Sequence, residues 1–341
     1  MYLRGMNGSE SWLAAPKAEL HCHLELAVRP STLREAALAM GMDVASEKAF
    51  ERAFLIRQPM GNLTEVLNKF LHTRDVLATE ALMERVAFEI CEDFHLQANV
   101  RVLELRYAPS FLLDAHNGMT ADGLHAAIVR GVRRAEATYP MVVGLSCILQ
   151  RTKSASDNAH WTDFAISNRD TFVALDLADD ETNEHPEPFI PLFQRAKAAG
   201  LGITIHAGEP AVTGIERNIR TAIEDMGADR IGHGVQAIRD EAIIQLLVDT
   251  GTPLELCPTS NWLTGAVPSL AAHPLARLHR AGVVTTINTD DPTVMCTNLH
   301  QEISRLLEAG DLTLAELEEV LQNGRRVSFL PAAEIDRVWV R

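Results

Sequence analysis

The stretch ELHCHLELAVRP, Glu19–Pro30, places two histidines on either side of one cysteine. Alternate side chains of a β-strand share a face, so His21 and His23 point one way and Cys22 the other. Two imidazoles at the end of a strand can give two nitrogens to one metal ion. For His-x-His alone, a pair bonded to backbone carbonyls in a core or loop is an equally good account. What the rest of the chain brings to the same place decides between them.

Seven more short apolar segments follow KAELHCH along the chain: VRVLELRYA, VVGLSCIL, TFVALDLA, LGITIHA, ADRIGHG, TPLELCP and VVTTINT. Each has the length and the apolar or β-branched content of a buried parallel strand. Helical patterns lie between them. Ala81–Phe94 and Gly123–Ala137 repeat apolar residues near every 3.6 positions. Phe189–Ala199, Ile215–Met226 and Leu270–Ala281 each stop at a glycine, Gly200, Gly227 and Gly282, as C-capped helices do. Eight strands alternating with helices predict an α/β fold, a closed (β/α)8 TIM barrel, with an open doubly wound sheet as the competing arrangement. Ser31–Arg74 predicts extra helices after the first strand, and Leu314–Phe329 a closing helix. No linker or repeat divides the chain, so 1–341 reads as a single barrel domain, with 1–15 open to being a flexible N-terminal extension.

Of 341 residues 47% are hydrophobic, enough for a large core. The net charge of −15 repels nucleic-acid backbones and anionic membranes but not a small neutral or cationic substrate. Cys22, Cys91, Cys147, Cys257 and Cys296 are odd in number and form no Cys-x-x-Cys, which fits reduced thiols in the cytoplasm. No secretory leader and no run of membrane-span length is present. The expected partner is therefore a small molecule, not a nucleic-acid polymer or a membrane. Oligomeric state is not encoded legibly.

Chemistry-bearing residues collect at the predicted strand ends. LGITIHAGE ends in His206 with Glu209 three residues on; ADRIGHG ends in His233; TTINTDDP ends in Asp290 and Asp291. In a parallel barrel these ends meet on one face. Three imidazoles and a carboxylate suit zinc with room for water, and also admit iron, cobalt or manganese. Glu209, past Gly208, can turn back to hold or deliver a proton; a helix N-terminal carboxylate is the plainer account. His233, between Gly232 and Gly234, has an open neighbourhood in which to orient a water and take its proton; a hydrogen-bonded core histidine is its plainer account. Cys257 lacks a second cysteine and reads as core. Arg106 reads as an internal salt-bridge partner, Arg151 and Lys153 as lining an entrance. The apolar spacing of Phe50, Phe54, Leu63, Leu67, Phe70 and Leu71 fits either a lid or ordinary helix packing.

HCHLE, HAGE, RIGHG, CPTSN and NTDDP, in that order between Lys17 and Phe329, resemble the adenosine deaminase family of metal-dependent amidohydrolases. The resemblance implies one zinc per chain at the C-terminal face of the barrel, bound by His21, His23, His206 and Asp290. It implies that Glu209 protonates the purine N1, that His233 activates or holds the attacking water, and that Asp290 also accepts a hydrogen bond from it. Asp291 would face the purine N7. The implied reaction is hydrolytic deamination at C6, giving a 6-oxopurine and ammonia. Two departures bear on the substrate. The family commonly reads His-x-His-Leu-Asp-Gly, with the aspartate on the ribose 5′-hydroxyl; here Glu25 and Leu26 stand in those places, and glutamate resembles the branches acting on adenine or modified adenosines. The family also commonly has glycine, whose N–H contacts N3, where LDLADDE has Asp179. An inward Asp179 would accept a hydrogen bond from substrate; a rebuilt turn would lose the N3 contact. Adenosine is the leading substrate, with free adenine or a modified adenosine as the alternative. A non-catalytic metal-binding sensor on the same barrel is the reading from another class.

Overall fold

All eight expected strands form one parallel sheet, in chain order, in a computed structural model that describes residues 11–60, 63–116, 118–310 and 312–340. They are β1 (Lys17–His23), β2 (Val100–Tyr107), β3 (Val142–Gln150), β4 (Phe172–Ala178), β5 (Gly202–Ala207), β6 (Arg230–His233), β7 (Leu254–Leu256) and β8 (Thr285–Ile287). The ends of the sheet meet. The His23 N–H donates to the Asp290 carbonyl at 2.9 Å, and the Asp290 N–H to the His21 carbonyl at 2.8 Å. Asn288 Oδ1 accepts from the Leu20 N–H at 3.1 Å. The circle is closed by the residues next to the candidate ligands, and the open doubly wound sheet is set aside.

The later strands are shorter than the apolar segments that announced them. The chain leaves β6 through Gly234, at φ 65°, and leaves β7 at Pro258, the first residue of a helix to Leu263. Helix boundaries moved for similar reasons. Leu270–Ala281 divides into a 3₁₀ turn (Leu270–Ala272) and a helix (Leu275–Arg280) around Pro274, whose ring cannot sit inside a continuous helix. The three capping glycines hold positive φ as expected.

Before β1, α1 (Ser11–Ala14) forms one helical turn. Of the proposed extension, residues 1–10 lie outside the described residues, while Trp12 of α1 is buried, its ring edge-on to His300 at 5.4 Å. Between β1 and β2 lie α2 (Pro30–Ala39), α3 (Glu47–Phe54), α4 (Leu63–Val76) and α5 (Glu80–Ala98). Ser46 caps α3 and Thr79 caps α5, each accepting a backbone N–H from three residues on. Phe50 and Phe54 are buried in the main core, so packing explains them. Val66, Phe70 and Met60 instead gather with Leu26, Ile56, Leu263, Val294 and Met295 beside the strand ends. The side chains of Leu63 and Leu67 lie outside the described residues.

The inside of the barrel is charged. Arg106 pairs with Asp176 at 2.8 Å and Glu255 at 2.7 Å; Arg230 pairs with Glu255 at 2.6 Å and Glu104 at 2.5 Å. All are fully buried. Such charges are tolerable only when every partner is present. Arg106 is thus the internal ion-pair residue expected of it. Among the described residues no helix is long and apolar enough to cross a membrane.

Candidate active site

His21 and His23 on β1, His206 on β5 and Asp290 after β8 converge, each offering one ligand atom within 4.8 Å of the others. The Nε2 atoms of His23 and His206 stand 3.3 Å apart. Asp290 Oδ1 lies 3.3 Å from His23 Nε2 and 3.4 Å from His21 Nε2. The opposite edges of two rings are fixed from below: His21 Nδ1 is 2.8 Å from Glu255 and His206 Nδ1 is 3.1 Å from Asp176. Each Nδ1–H then donates to a carboxylate, leaving a bare Nε2 turned to the centre. His21 Nε2 is buried with no hydrogen-bond partner among the described residues. A cation fits this arrangement, and the nitrogen-rich donor set suits zinc.

The field beneath is arranged to match. Burial alone would raise the Glu255 and Asp176 carboxyls, but Arg106 and the adjacent imidazoles, with Arg230 for Glu255, hold both well below the carboxylate range. Burial pushes His206 down to about 3, so its ring is neutral as a ligand must be. A second grouping in the same space, His21, His233, Cys257 and Asp290, includes a sulfur. Burial and the nearby carboxylates raise the Cys257 thiol well above its ordinary value, and its Sγ faces the Glu255 carbonyl at 3.6 Å. The thiol is already hydrogen-bonded to that carbonyl, and Cys257 is kept as a core residue.

Above the four atoms sit Glu209 and His233. The turn after β5 is clamped by Glu181, which accepts from the Gly208 N–H at 2.6 Å, the Glu209 N–H at 3.0 Å and the Asn218 amide at 3.0 Å. The next helix begins only at Arg217, so Glu209 is not a helix N-terminal carboxylate. Its Oε1 accepts from Thr264 at 3.2 Å and Asn261 at 3.4 Å, and its Oε2 is 3.6 Å from His233 Nε2. His233 Nε2 is 3.7 Å from Asp290 Oδ2. His233 and Asp290 both hold left-handed backbone, φ 58° and 62°, a strain that collects at working sites. Gly232 does not leave His233 open as expected. A Cβ there would come within 3.0 Å of His21 Cε1, so the glycine makes room for the ligand ring instead.

The three expected substrate residues fall differently. Glu25 is buried; Oε1 accepts from the Ala108 N–H at 3.2 Å, and Oε2 has no partner among the described residues. Asp291 is also buried, and its Oδ1 has no partner among the described residues; burial and the adjacent Asp290 raise its carboxyl well above the ordinary range. Asp179 is exposed, and its carboxylate accepts from Thr152 Oγ1 and, at 3.3 Å, from Gln150 Nε2. Its side chain therefore leans along the rim to the end of β3, while its φ of 91° keeps a glycine-like backbone.

Several supporting residues carried no distinct sequence signal. Asp176 and Glu255 sit inside strands that read as apolar, Glu181 lies in the acidic turn after β4, and Asn261 lies in CPTSN without an evident task. Arg151, expected at the entrance, is buried and donates to the His206 carbonyl at 2.6 Å. Lys153 pairs with Asp114.

The adenosine deaminase family model matches residues 16–339. An adenosine deaminase of Vibrio vulnificus is 35% identical over 308 residues, covering 89% of this chain and 91% of its own. An adenine deaminase from Arthrobacter aurescens superposes with a TM-score of 0.85 at 25% identity, over 95% of this chain and 98% of that one. An amidohydrolase from Burkholderia ambifaria with bound zinc gives 0.84 at 26% identity, over 96% and 92%. Sequence match across nearly the whole chain and a shared barrel lead to one conclusion: the chain belongs to the adenosine deaminase family.

Proposed function

We propose that this chain is a zinc-dependent hydrolase that deaminates an adenine-containing nucleoside, adenosine to inosine and ammonia. The observation that carries the reading is the convergence of His21, His23, His206 and Asp290 within 4.8 Å, beneath Glu209 and His233. One zinc per chain, held by those four residues, would supply Lewis acidity and lower the pKa of water.

The chain's own groups supply the rest. Glu209, anchored through its backbone and steadied by Thr264 and Asn261, delivers a proton to the purine N1. Protonation drains electron density from C6. His233 and Asp290 hold a water against that carbon, and its oxygen adds there. One water proton passes by way of Asp290 to the amino group, the C6–N bond breaks and ammonia leaves, and the other water proton returns to Glu209, leaving the 6-oxopurine. Asp291 lies beside Asp290, and its carboxyl, kept protonated by burial and that neighbour, would donate to the purine N7. Glu25 Oε2 is a second unpartnered acceptor, suited to a sugar hydroxyl or a ring N–H. Asp179 would act through its backbone N–H, its carboxylate being engaged at the rim.

Free adenine is the second substrate reading. It is supported by Glu25 and by Leu26, which fills the glycine place with an apolar side chain packed against Val294 and Met295. It is supported too by the likeness to an adenine deaminase. All five cysteines are free, which supports the cytoplasm, and the charge of −15 disfavours polyanionic partners.

Purified protein with metal content measured is to be offered adenosine, N6-methylated adenosines and adenine while ammonia is followed. Release from adenosine fastest, with one ion per chain, is expected. No release from any of them by metal-loaded protein overturns catalysis in favour of a sensor; two ions per chain overturn the single-metal site.

A further inference from the structure

We infer that Asn261 and His273 are positioning residues that fix the tautomer of His233, so that its Nε2 carries the proton and faces the pocket. The effect on rate rests on the deaminase reading; the tautomer itself does not.

The chain of bonds starts from a group whose role cannot change. The backbone N–H of Leu275, at the start of the helix Leu275–Arg280, can only donate, and it donates to His273 Nδ1 at 3.3 Å. That nitrogen is therefore bare. His273 is buried, and burial pushes its pKa down to about 3, so the ring is neutral. Its one proton sits on Nε2, 3.1 Å from Asn261 Oδ1. This sets which way the Asn261 amide faces. Its nitrogen has two hydrogens and two acceptors in reach, His233 Nδ1 at 3.1 Å and Glu209 Oε1 at 3.4 Å. Turning the amide over would set its oxygen against a carboxylate and its hydrogens against the His273 N–H. Asn261 is also held at its backbone, donating to the Cys257 carbonyl at 2.9 Å and accepting from the Val267 N–H at 2.9 Å.

His233 Nδ1 is thus an acceptor, and the neutral ring carries its proton on Nε2. That proton faces Glu209 Oε2 and Asp290 Oδ2, at 3.6 and 3.7 Å. His233 in this state donates. It holds an attacking oxygen by hydrogen bond and has no vacant nitrogen facing it to take a proton, which selects holding over activating, the two roles expected from sequence. The proton acceptor is left to the carboxylates.

The test uses the full, zinc-loaded chain with 15N-labelled histidine. Long-range 1H–15N correlation spectra report which ring nitrogen is protonated, and His233 is assigned by the signal lost in His233→Asn. A bare Nδ1 and protonated Nε2 are expected in the unsubstituted protein. Asn261→Asp offers an acceptor instead of a donor and is expected to move the proton to Nδ1. There kcat should fall by roughly 10- to 100-fold, the usual cost of losing an outer positioning partner, while KM changes little. His273→Ala should give a mixture of tautomers; His273→Gln, which keeps an amide donor for Asn261 Oδ1, should restore Nε2–H and most of kcat. A protonated Nδ1 in the unsubstituted protein overturns the inference, as does Nε2–H persisting in both Asn261→Asp and His273→Ala. Should the variants not fold, the unsubstituted spectrum decides alone. Absence of turnover on every substrate would sink the deaminase reading and leave this readout standing.

Discussion

The floor of the site and its rim are built in opposite ways. On the floor, Glu255 meets His21, Arg106, Arg230 and Thr204, each within 3.0 Å, and Asp176 meets His206 and Arg106. At the rim, Glu25 and Asp291 each leave one buried oxygen without a partner, and Asp179 is exposed. A fully bonded network admits one arrangement and holds the ligands to it. The unpartnered oxygens are open to partners that a substrate would bring: an acceptor such as N7 for Asp291, whose raised carboxyl can carry a proton, and a hydrogen-bonding group such as a hydroxyl for Glu25. The comparison separates what the chain does from what it does it to: the floor sets the reaction and the rim sets the substrate.

The largest effect should come from the residue that belongs to neither. Among the described residues Glu209 makes no hydrogen bond or ion pair with His21, His23, His206 or Asp290, yet it is the proposed proton donor. In Glu209→Gln the amide cannot deliver a proton, and kcat should fall by about 10²–10⁴-fold. Metal analysis should find zinc nearly unchanged. Loss of zinc in step with activity would make Glu209 part of the floor and erase the division.

Glu255→Gln strikes the floor itself. It leaves Arg106 and Arg230 each short of a charged partner inside the barrel, and His21 Nδ1 without a carboxylate. Breaking a buried ion pair from one side costs about 3–5 kcal/mol, to be read from denaturant unfolding. Zinc affinity should drop by about 10–100-fold in a chelator competition. A variant as stable and as tightly metallated as its parent would show that the network is packing and not support.

This asymmetry also explains what could be read in advance. The eight strands were legible because each is a short, doubly buried apolar run, and His21, His23, His206, His233, Glu209 and Asp290 because polar residues interrupt those runs at their ends. Asp176 and Glu255 were not. They sit singly inside LDLA and LEL, where one acid in an apolar strand looks the same whether it faces the barrel interior or solvent. Their partners, Arg106 and Arg230, come from strands far away in sequence, so no local spacing links them. The role of Asn261 was hidden for the same reason: it depends on His273 and on a backbone N–H after Pro274. The close approach of the His21 ring to Gly232 likewise needs the closed barrel before it means anything.

At the rim the effects should be selective. If Glu25 Oε2 accepts from a ribose hydroxyl, Glu25→Gln should lower kcat/KM for adenosine by about tenfold, mostly through KM, and leave free adenine nearly untouched. Equal losses on nucleoside and base would assign Glu25 to the purine ring, and the rim would then favour free adenine.

The smallest effect is at Asp179, where two contributions oppose each other. Holding a non-glycine residue in left-handed backbone costs about 1–2 kcal/mol, somewhat less for aspartate, whose side chain bonds locally. Its carboxylate recovers part of this by accepting from Thr152, Gln150 and the Asp180 N–H. Asp179→Gly removes strain and bonds together, so stability should change by no more than about 1 kcal/mol. Asp179→Ala removes the bonds and keeps the strain. It should therefore be less stable than the glycine variant by about 1 kcal/mol, a few degrees in melting temperature. The backbone N–H proposed to meet the ring survives in both, so KM for the preferred substrate should be nearly the same in the two variants. Equal melting temperatures for alanine and glycine would mean that the turn relaxes once the carboxylate is gone. The side chain, and not the rest of the barrel, would then be what holds this part of the rim in its glycine-like shape.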